Sequence, residues 1–170
     1  MAVQALRSGI CACVIAVGAA PAAASPGLVT MGGFAPGTIV VMQSQRSLYL
    51  TLQGGTAIRY PVAVGKAGKA WRGLAQVSGK YVNPAWSPPA EVKRDKPWLP
   101  DVVAGGAPNN PMGRRALTLS GGEYAIHGTT RAMRASIGTA ASYGCIRMYN
   151  EDIIDLFERV GVGTPVAVLP

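Results

Sequence analysis

The sequence predicts a β-rich α+β domain, and three observations carry that prediction. Short apolar or alternating runs recur between Gly-, Pro- and Asn-rich turns along most of the chain, which is the pattern of strands. One segment, from Asn150 onward, places apolar residues at helical spacing. The length of 170 residues leaves room for one domain with a real hydrophobic core and little more.

Taken in order, residues 1–24 read as a secretory signal. Arg7 precedes an unbroken apolar and small-residue run from Ile10 to Ala20, and Ala22-Ala23-Ala24 supplies a small-x-small cleavage site. The run is too short for a membrane span, so none is expected after cleavage. Residues 25–37, rich in Gly, Pro and small side chains, read as a linker, and residues 38–170 as the folded domain. Thr38 to Met42 and Ser47 to Leu52 make a hairpin around the polar Gln43 to Arg46. Gly54-Gly55 turns the chain into a third strand, Ala57 to Val64, and Gly73 to Ser78 is a fourth.

Pro84 to Pro100 is expected to hold no regular structure, because Pro88, Pro89 and Pro97 interrupt it as well. Trp86 and Trp98 within it either border a binding cleft or pin the loop to the core. Gly105 to Gly113 is a second turn-rich stretch. Arg114 to Leu119 and Glu123 to His127 read as strands around Gly121-Gly122. Asn150 reads as a helix N-cap, with Glu151 and Asp152 where the macrodipole favours negative charge. Ile153, Ile154, Phe157 and Val160 form the apolar stripe, Gly161 ends the helix, and Thr164 to Leu169 is a closing strand.

Composition narrows the function. The formal charge is +8, yet no long basic run exists and the aromatic share is 6%, which argues against a nucleic-acid platform. A basic exported domain fits an anionic polymer or a carboxylate-rich substrate better. Of the three cysteines, Cys11 and Cys13 leave with the signal, so Cys145 remains and no intramolecular disulfide is expected. A solitary thiol in an oxidising compartment is a hazard unless it is buried or chemically useful. One His and one remaining Cys cannot furnish a zinc shell, so neither a metal nor another cofactor is expected.

The chemistry-bearing residues lie between Ile126 and Met148. His127 ends a strand and is followed by Gly128, while Cys145 sits in Ser142-Tyr143-Gly144-Cys145-Ile146-Arg147. A thiol needs a base to become a nucleophile near neutral pH, and an imidazole supplies one. Gly144 lets backbone approach a substrate, and N–H groups around Cys145 could face an oxyanion. Spacing alone leaves the bland alternatives open, namely an inert core Cys and a structural His. No Gly-x-Ser-x-Gly elbow supports a serine nucleophile.

The combination of Ile126-His127-Gly128-Thr129 with Ser142-x-Gly144-Cys145-Ile146-Arg147-Met148, followed by Asn150 and Asp152, resembles the L,D-transpeptidase catalytic domain family of YkuD-type fold. Tyr60 to Gly65, Trp86 with Pro88-Pro89, and Asn110-Pro111-Met112-Gly113 extend the similarity from about Thr38 to Leu169. Tyr143 departs from the pattern, standing where most members carry a second His.

The resemblance implies a peptidoglycan enzyme in the periplasm or cell wall. Cys145 would attack the third stem-peptide residue and expel D-alanine, with His127 as base and the Gly128 carbonyl orienting the imidazole. The N–H groups of Gly144 and Cys145, with Tyr143 as a further candidate, would form the oxyanion hole. Arg147 would hold a substrate carboxylate, or else pair with Glu151 or Asp152. Ser142, Tyr143 and Trp86 would shape the substrate site. The acceptor could be another stem peptide, an outer-membrane lipoprotein or a free D-amino acid. Water would make the enzyme a carboxypeptidase, and a peptidoglycan-binding domain without catalysis is a further alternative. A cell-wall cysteine peptidase or amidase fits less well, because such enzymes usually carry the Cys on a helix.

Overall fold

The computed structural model describes residues 26–170, so the secretory-signal reading of residues 1–24 lies outside the described residues. Two sheets and two helices make up the domain. The hairpin read from the sequence is present as β2 (Ile39–Met42) and β3 (Ser47–Thr51), paired antiparallel from Ile39 opposite Leu50 to Met42 opposite Ser47. β4 (Thr56–Pro61) follows antiparallel on β3. Every residue of β2 is at least partly buried because both sheet faces are covered. Ile39 and Val41 enter the main core, whereas Val40 joins Tyr49 and Ala57 in a smaller cluster on the opposite face.

That smaller cluster corrects the linker reading of residues 25–37. Gly27–Thr30 is a strand, β1, which pairs antiparallel with β4 from Gly27 opposite Arg59 to Thr30 opposite Thr56. Val29, Met31 and Phe34 then cover Val40 and Tyr49. Composition pointed to a linker, but the free edge of β4 offered ladder partners, and a strand edge is rarely left open.

The strand expected over Ala57 to Val64 divides. β4 ends at Pro61, and β5 (Val64–Gly65) leaves the large sheet to pair in parallel with β9 (Ala140–Ser142). β6 (Gly73–Val82) runs past the expected end at Ser78 and joins the two halves of the large sheet. Its residues Gly73 to Gln76 pair with β11 (Pro165–Leu169), and Val77 to Val82 pair with β7 (Arg115–Leu119) across an irregularity between Val77 and Gly79. A Cβ on Gly79 would stand 2.9 Å from Thr118 Oγ1 and 2.8 Å from the Tyr81 ring, so a larger residue would displace those side chains where the strand bends.

The sheet ends with β8 (Ala125–His127) and β10 (Ile146–Arg147), which pair in parallel as Ile126 with Ile146 and His127 with Arg147. Both isoleucines are fully buried in the main core. Alternation along a strand therefore turns His127 and Arg147 to the other face.

Two helices complete the domain. The predicted helix, α2 (Asn150–Arg159), packs Ile153, Leu156 and Phe157 against the main core, and Val160 just beyond it joins them. Tyr149 rather than Asn150 holds the N-cap position, and it makes no side-chain cap. The Asn150 amide is engaged elsewhere, as described below. The second helix, α1 (Ala90–Asp95), corrects the reading of Pro84 to Pro100 as irregular throughout. Pro89 precedes its first turn, where a missing N–H costs nothing, and Pro97 lies beyond its end. Among the described residues no helix is long and apolar enough to cross a membrane.

Candidate active site

His127, Cys145 and Arg147 line one cleft of about 790 Å³, together with Trp86, Ser142 and Tyr143. The structure thus brings together the side chains singled out in the sequence.

His127 is buried, and its Nδ1 lies 2.8 Å from the carbonyl oxygen of Gly128. A carbonyl only accepts, so Nδ1 carries the proton and Nε2 is left with its lone pair. Burial, aided by the nearby Arg147 charge, pushes the imidazole down to about 4, against the pull of hydrogen bonds to the Gly128 and Pro111 carbonyls. A neutral imidazole with a free Nε2 is the state a general base requires.

The Gly128 N–H donates to the Arg115 carbonyl (3.1 Å), and Asn150 braces the main chain next to it. The Asn150 Oδ1 accepts from the N–H groups of Arg114 (3.0 Å) and Thr129 (3.2 Å), and its Nδ2 donates to the Thr129 carbonyl (2.8 Å). A Cβ on Gly128 or Gly113 would come within 2.2 or 2.3 Å of this Oδ1, so both positions need glycine for the amide to fit. The N-cap reading of Asn150 placed the side chain on its own helix. It serves the end of β8 instead.

Cys145 is half-buried, and its Sγ donates to the Glu123 carbonyl at 3.9 Å, not to the imidazole. Burial pushes the thiol up, while the Ala125 N–H and the Arg147 charge act in the opposite direction. The resting pair is therefore thiol and neutral imidazole, and apo geometry of this kind tightens when substrate arrives.

The oxyanion-hole expectation needs one correction. The N–H of Gly144 donates to Ser142 Oγ (3.1 Å), which itself donates to the Cys145 carbonyl (2.6 Å). Gly144 therefore shapes the loop and does not present a free donor. Among the described residues the N–H groups of Cys145 and Tyr143 have no partner. Glycine is still required at 144, because φ is +117° and a Cβ would meet the Tyr124 ring at 2.5 Å.

Arg147 is buried without a carboxylate partner among the described residues. One guanidinium nitrogen donates to Ser136 Oγ (2.7 Å), and Nε has no partner. The alternative of an ion pair with Glu151 fails, since Glu151 pairs with Arg134 at 2.6 Å. Asp152 is also buried with an unpartnered Oδ2. A buried, unpaired guanidinium on a cleft wall suits a substrate carboxylate.

Tyr143 donates to Asp95 Oδ2 at the end of α1 (2.9 Å), and the Lys66 ammonium lies 3.8 Å from its ring centroid. Trp86 joins the cleft through a two-way backbone pairing with Val103. Trp98 lies three-quarters exposed and outside the cleft lining, so of the two tryptophans only Trp86 borders the cleft and neither expectation holds for Trp98.

Trp71 was missed by sequence reasoning. Its indole donates to the Gly144 carbonyl (3.1 Å), and its ring stacks on Tyr124 at 4.7 Å. Nothing local marks it, because both partners lie more than fifty residues away in the chain.

Fold and cleft together define the class as a β-rich domain with a cysteine–histidine site. The chain belongs to the L,D-transpeptidase catalytic domain family, whose model matches residues 36–168. It is 41% identical over 138 residues to the protein named "Probable L,D-transpeptidase YbiS" of Escherichia coli strain K12, covering 75% of this chain and 43% of that protein. A solved L,D-transpeptidase from Mycobacterium smegmatis shares the fold with a TM-score of 0.62 at 18% identity, covering 78% of this chain and 58% of its own. A Brucella melitensis structure described as a "Probable carnitine operon oxidoreductase caia" is 42% identical with a TM-score of 0.56, covering 85% of this chain and 93% of its own. The chain spans less than half the length of YbiS.

Proposed function

We propose that this protein is a cysteine-dependent L,D-transpeptidase acting on peptidoglycan stem peptides in the periplasm or cell wall. The observation that carries this reading is the buried, neutral imidazole, with Nδ1 tied to the Gly128 carbonyl, on the same cleft as the Cys145 thiol.

Nε2 takes the thiol proton as Sγ attacks the carbonyl of the third stem residue. The Cys145 and Tyr143 N–H groups are the donors for the oxyanion. Collapse breaks the peptide bond, and the imidazolium passes its proton to the departing D-alanine amine. An amine then attacks the thioester, its proton returns through His127 to the thiolate, and a new amide forms. Arg147 suits the diaminopimelate or peptide carboxylate of the donor stem. Ser142 braces the loop, and Trp86 walls the donor side.

The amine is that of another stem, giving a 3→3 cross-link, of an outer-membrane lipoprotein, or of a free D-amino acid. Attack by water would instead give an L,D-carboxypeptidase. Muropeptide analysis of sacculi incubated with the full chain tests the reading. New cross-linked or exchanged stems, absent with Cys145→Ala, support transpeptidation. Shortened stems alone mean hydrolysis. Unchanged sacculi with both proteins contradict an enzymatic role.

A further inference from the structure

The charges around the cleft are unequal in a way that matters for the second half of such a reaction. Arg94, Lys96 and Arg147 line it on the basic side, Arg94 being paired with Glu91 (3.4 Å) and Asp95 (3.6 Å), and Glu91 and Glu123 are its carboxylates. Glu91 is neutralised twice, by an ion pair with Lys69 and by Arg94 at 3.4 Å. Glu123 has no ion-pair partner among the described residues, and it is exposed at the cleft wall. The chain as a whole carries +8.

Glu123 is also fixed close to the nucleophile. Its carbonyl oxygen lies 3.9 Å from Cys145 Sγ. It occupies the turn between β7 and β8, where the Leu119 N–H donates to the Tyr124 carbonyl (2.9 Å) and the Tyr124 ring is stacked on Trp71. A donor stem is rich in carboxylates and suits the basic wall. An amine acceptor arrives as an ammonium at neutral pH, and the same basic wall repels it.

We infer that Glu123 is the acceptor-specificity residue of this cleft, drawing the acceptor's ammonium to the thioester on Cys145. The assignment rests on the proposed transpeptidation. One ammonium proton is lost to solvent before attack. The second passes through His127 to the thiolate as the thioester C–S bond breaks and the amide C–N bond forms. Glu123 supplies charge and no proton transfer.

The test compares wild type with Glu123→Gln and Glu123→Asp in the full chain, using a stem tetrapeptide as donor. The acceptors are a diaminopimelate-containing peptide and hydroxylamine, which is uncharged at neutral pH. In Glu123→Gln the KM for the cationic acceptor is expected to rise about fivefold, as an exposed charge contact allows. The KM for hydroxylamine stays at the wild-type value, and Glu123→Asp restores part of the loss. An unchanged cationic-acceptor KM in Glu123→Gln overturns the assignment while leaving transpeptidation standing. An equal rise for hydroxylamine overturns it too. Absence of amine transfer in the wild type overturns both the assignment and the proposed function.

Discussion

His127 and Cys145 share a cleft, but the chain holds them by different means. Around His127 the contacts are largely to main chain: the buried Gly128 carbonyl on Nδ1, the parallel ladder to Arg147, and the partly exposed Asn150 amide across Arg114 and Thr129. Around Cys145 the loop rests on side chains from distant segments. Trp71 reaches the Gly144 carbonyl, Tyr143 reaches Asp95, and Lys69 reaches Glu91. The last two contacts are partly or fully exposed and tie α1, which walls the cleft, to the nucleophile's side. The base is thus built into the fold, whereas the nucleophile's surroundings can be altered with little cost to stability.

Breaking this contrast begins with the position where the loop is least tolerant. Gly144→Ala places a Cβ against Tyr124 at a φ only glycine adopts readily. The acylation rate is expected to fall about 100-fold, as a displacement of about 1 Å at a reacting centre does. Stopped-flow acylation alongside thermal unfolding checks it, and a near-wild-type rate would show that the loop accommodates the methyl.

Asn150→Ala attacks the base side. It leaves the buried Thr129 main chain without its partners and should cost roughly 1–3 kcal/mol of stability. It should also lower kcat about tenfold by loosening the main chain next to Gly128. Chemical denaturation and steady-state kinetics read the two effects, and a stability loss without a kcat loss would confine Asn150 to the fold.

A pH series sharpens the same point. The His127 imidazole titrates at about 4 in the folded protein, below its ordinary value of 6.5. Between those values the unfolded chain binds a proton that the folded one refuses, so stability falls as pH drops from 6.5 through 4, by roughly 3 kcal/mol in all. Asp152, raised to about 6 by burial, acts in the opposite sense over part of that window. The difference between wild type and His127→Asn isolates the histidine contribution. The acylation rate should show no loss from imidazole protonation until pH approaches 4, and an acid limb near 6.5 would contradict a buried neutral base.

The smallest effect is expected on the nucleophile side. Tyr143→Phe and Asp95→Asn each weaken one contact between α1 and the loop, and both should raise donor KM about threefold with kcat retained. The double variant should be no worse than either single one, because the two residues share one hydrogen bond. Additive losses would mean that Tyr143 acts on substrate directly.

Much of this was legible in the sequence because it depends on local pattern. The alternation around Leu48 and Leu50 lies in β3, the stripe from Ile153 to Phe157 lies in α2 with Leu156 buried in place of Ile154, and His127, Ser142 and Cys145 line one cleft. What escaped depends on contacts between distant segments. Asn150 looks like a cap because its neighbours are acidic, yet its partners lie on the turns before β7 and after β8. Trp71 has no motif around it, and α1 hides among prolines that happen to flank it. The Gly144 N–H is taken up by Ser142 Oγ, a contact that the motif itself does not reveal.

The central claim is that Cys145 becomes acylated. Imipenem, whose strained β-lactam carbonyl can acylate a thiol nucleophile, is the probe. Intact-mass spectrometry of the full chain after incubation with imipenem should show one added drug-derived mass on the wild type and none on Cys145→Ala. No adduct on the wild type, or the same adduct on Cys145→Ala, would contradict the account.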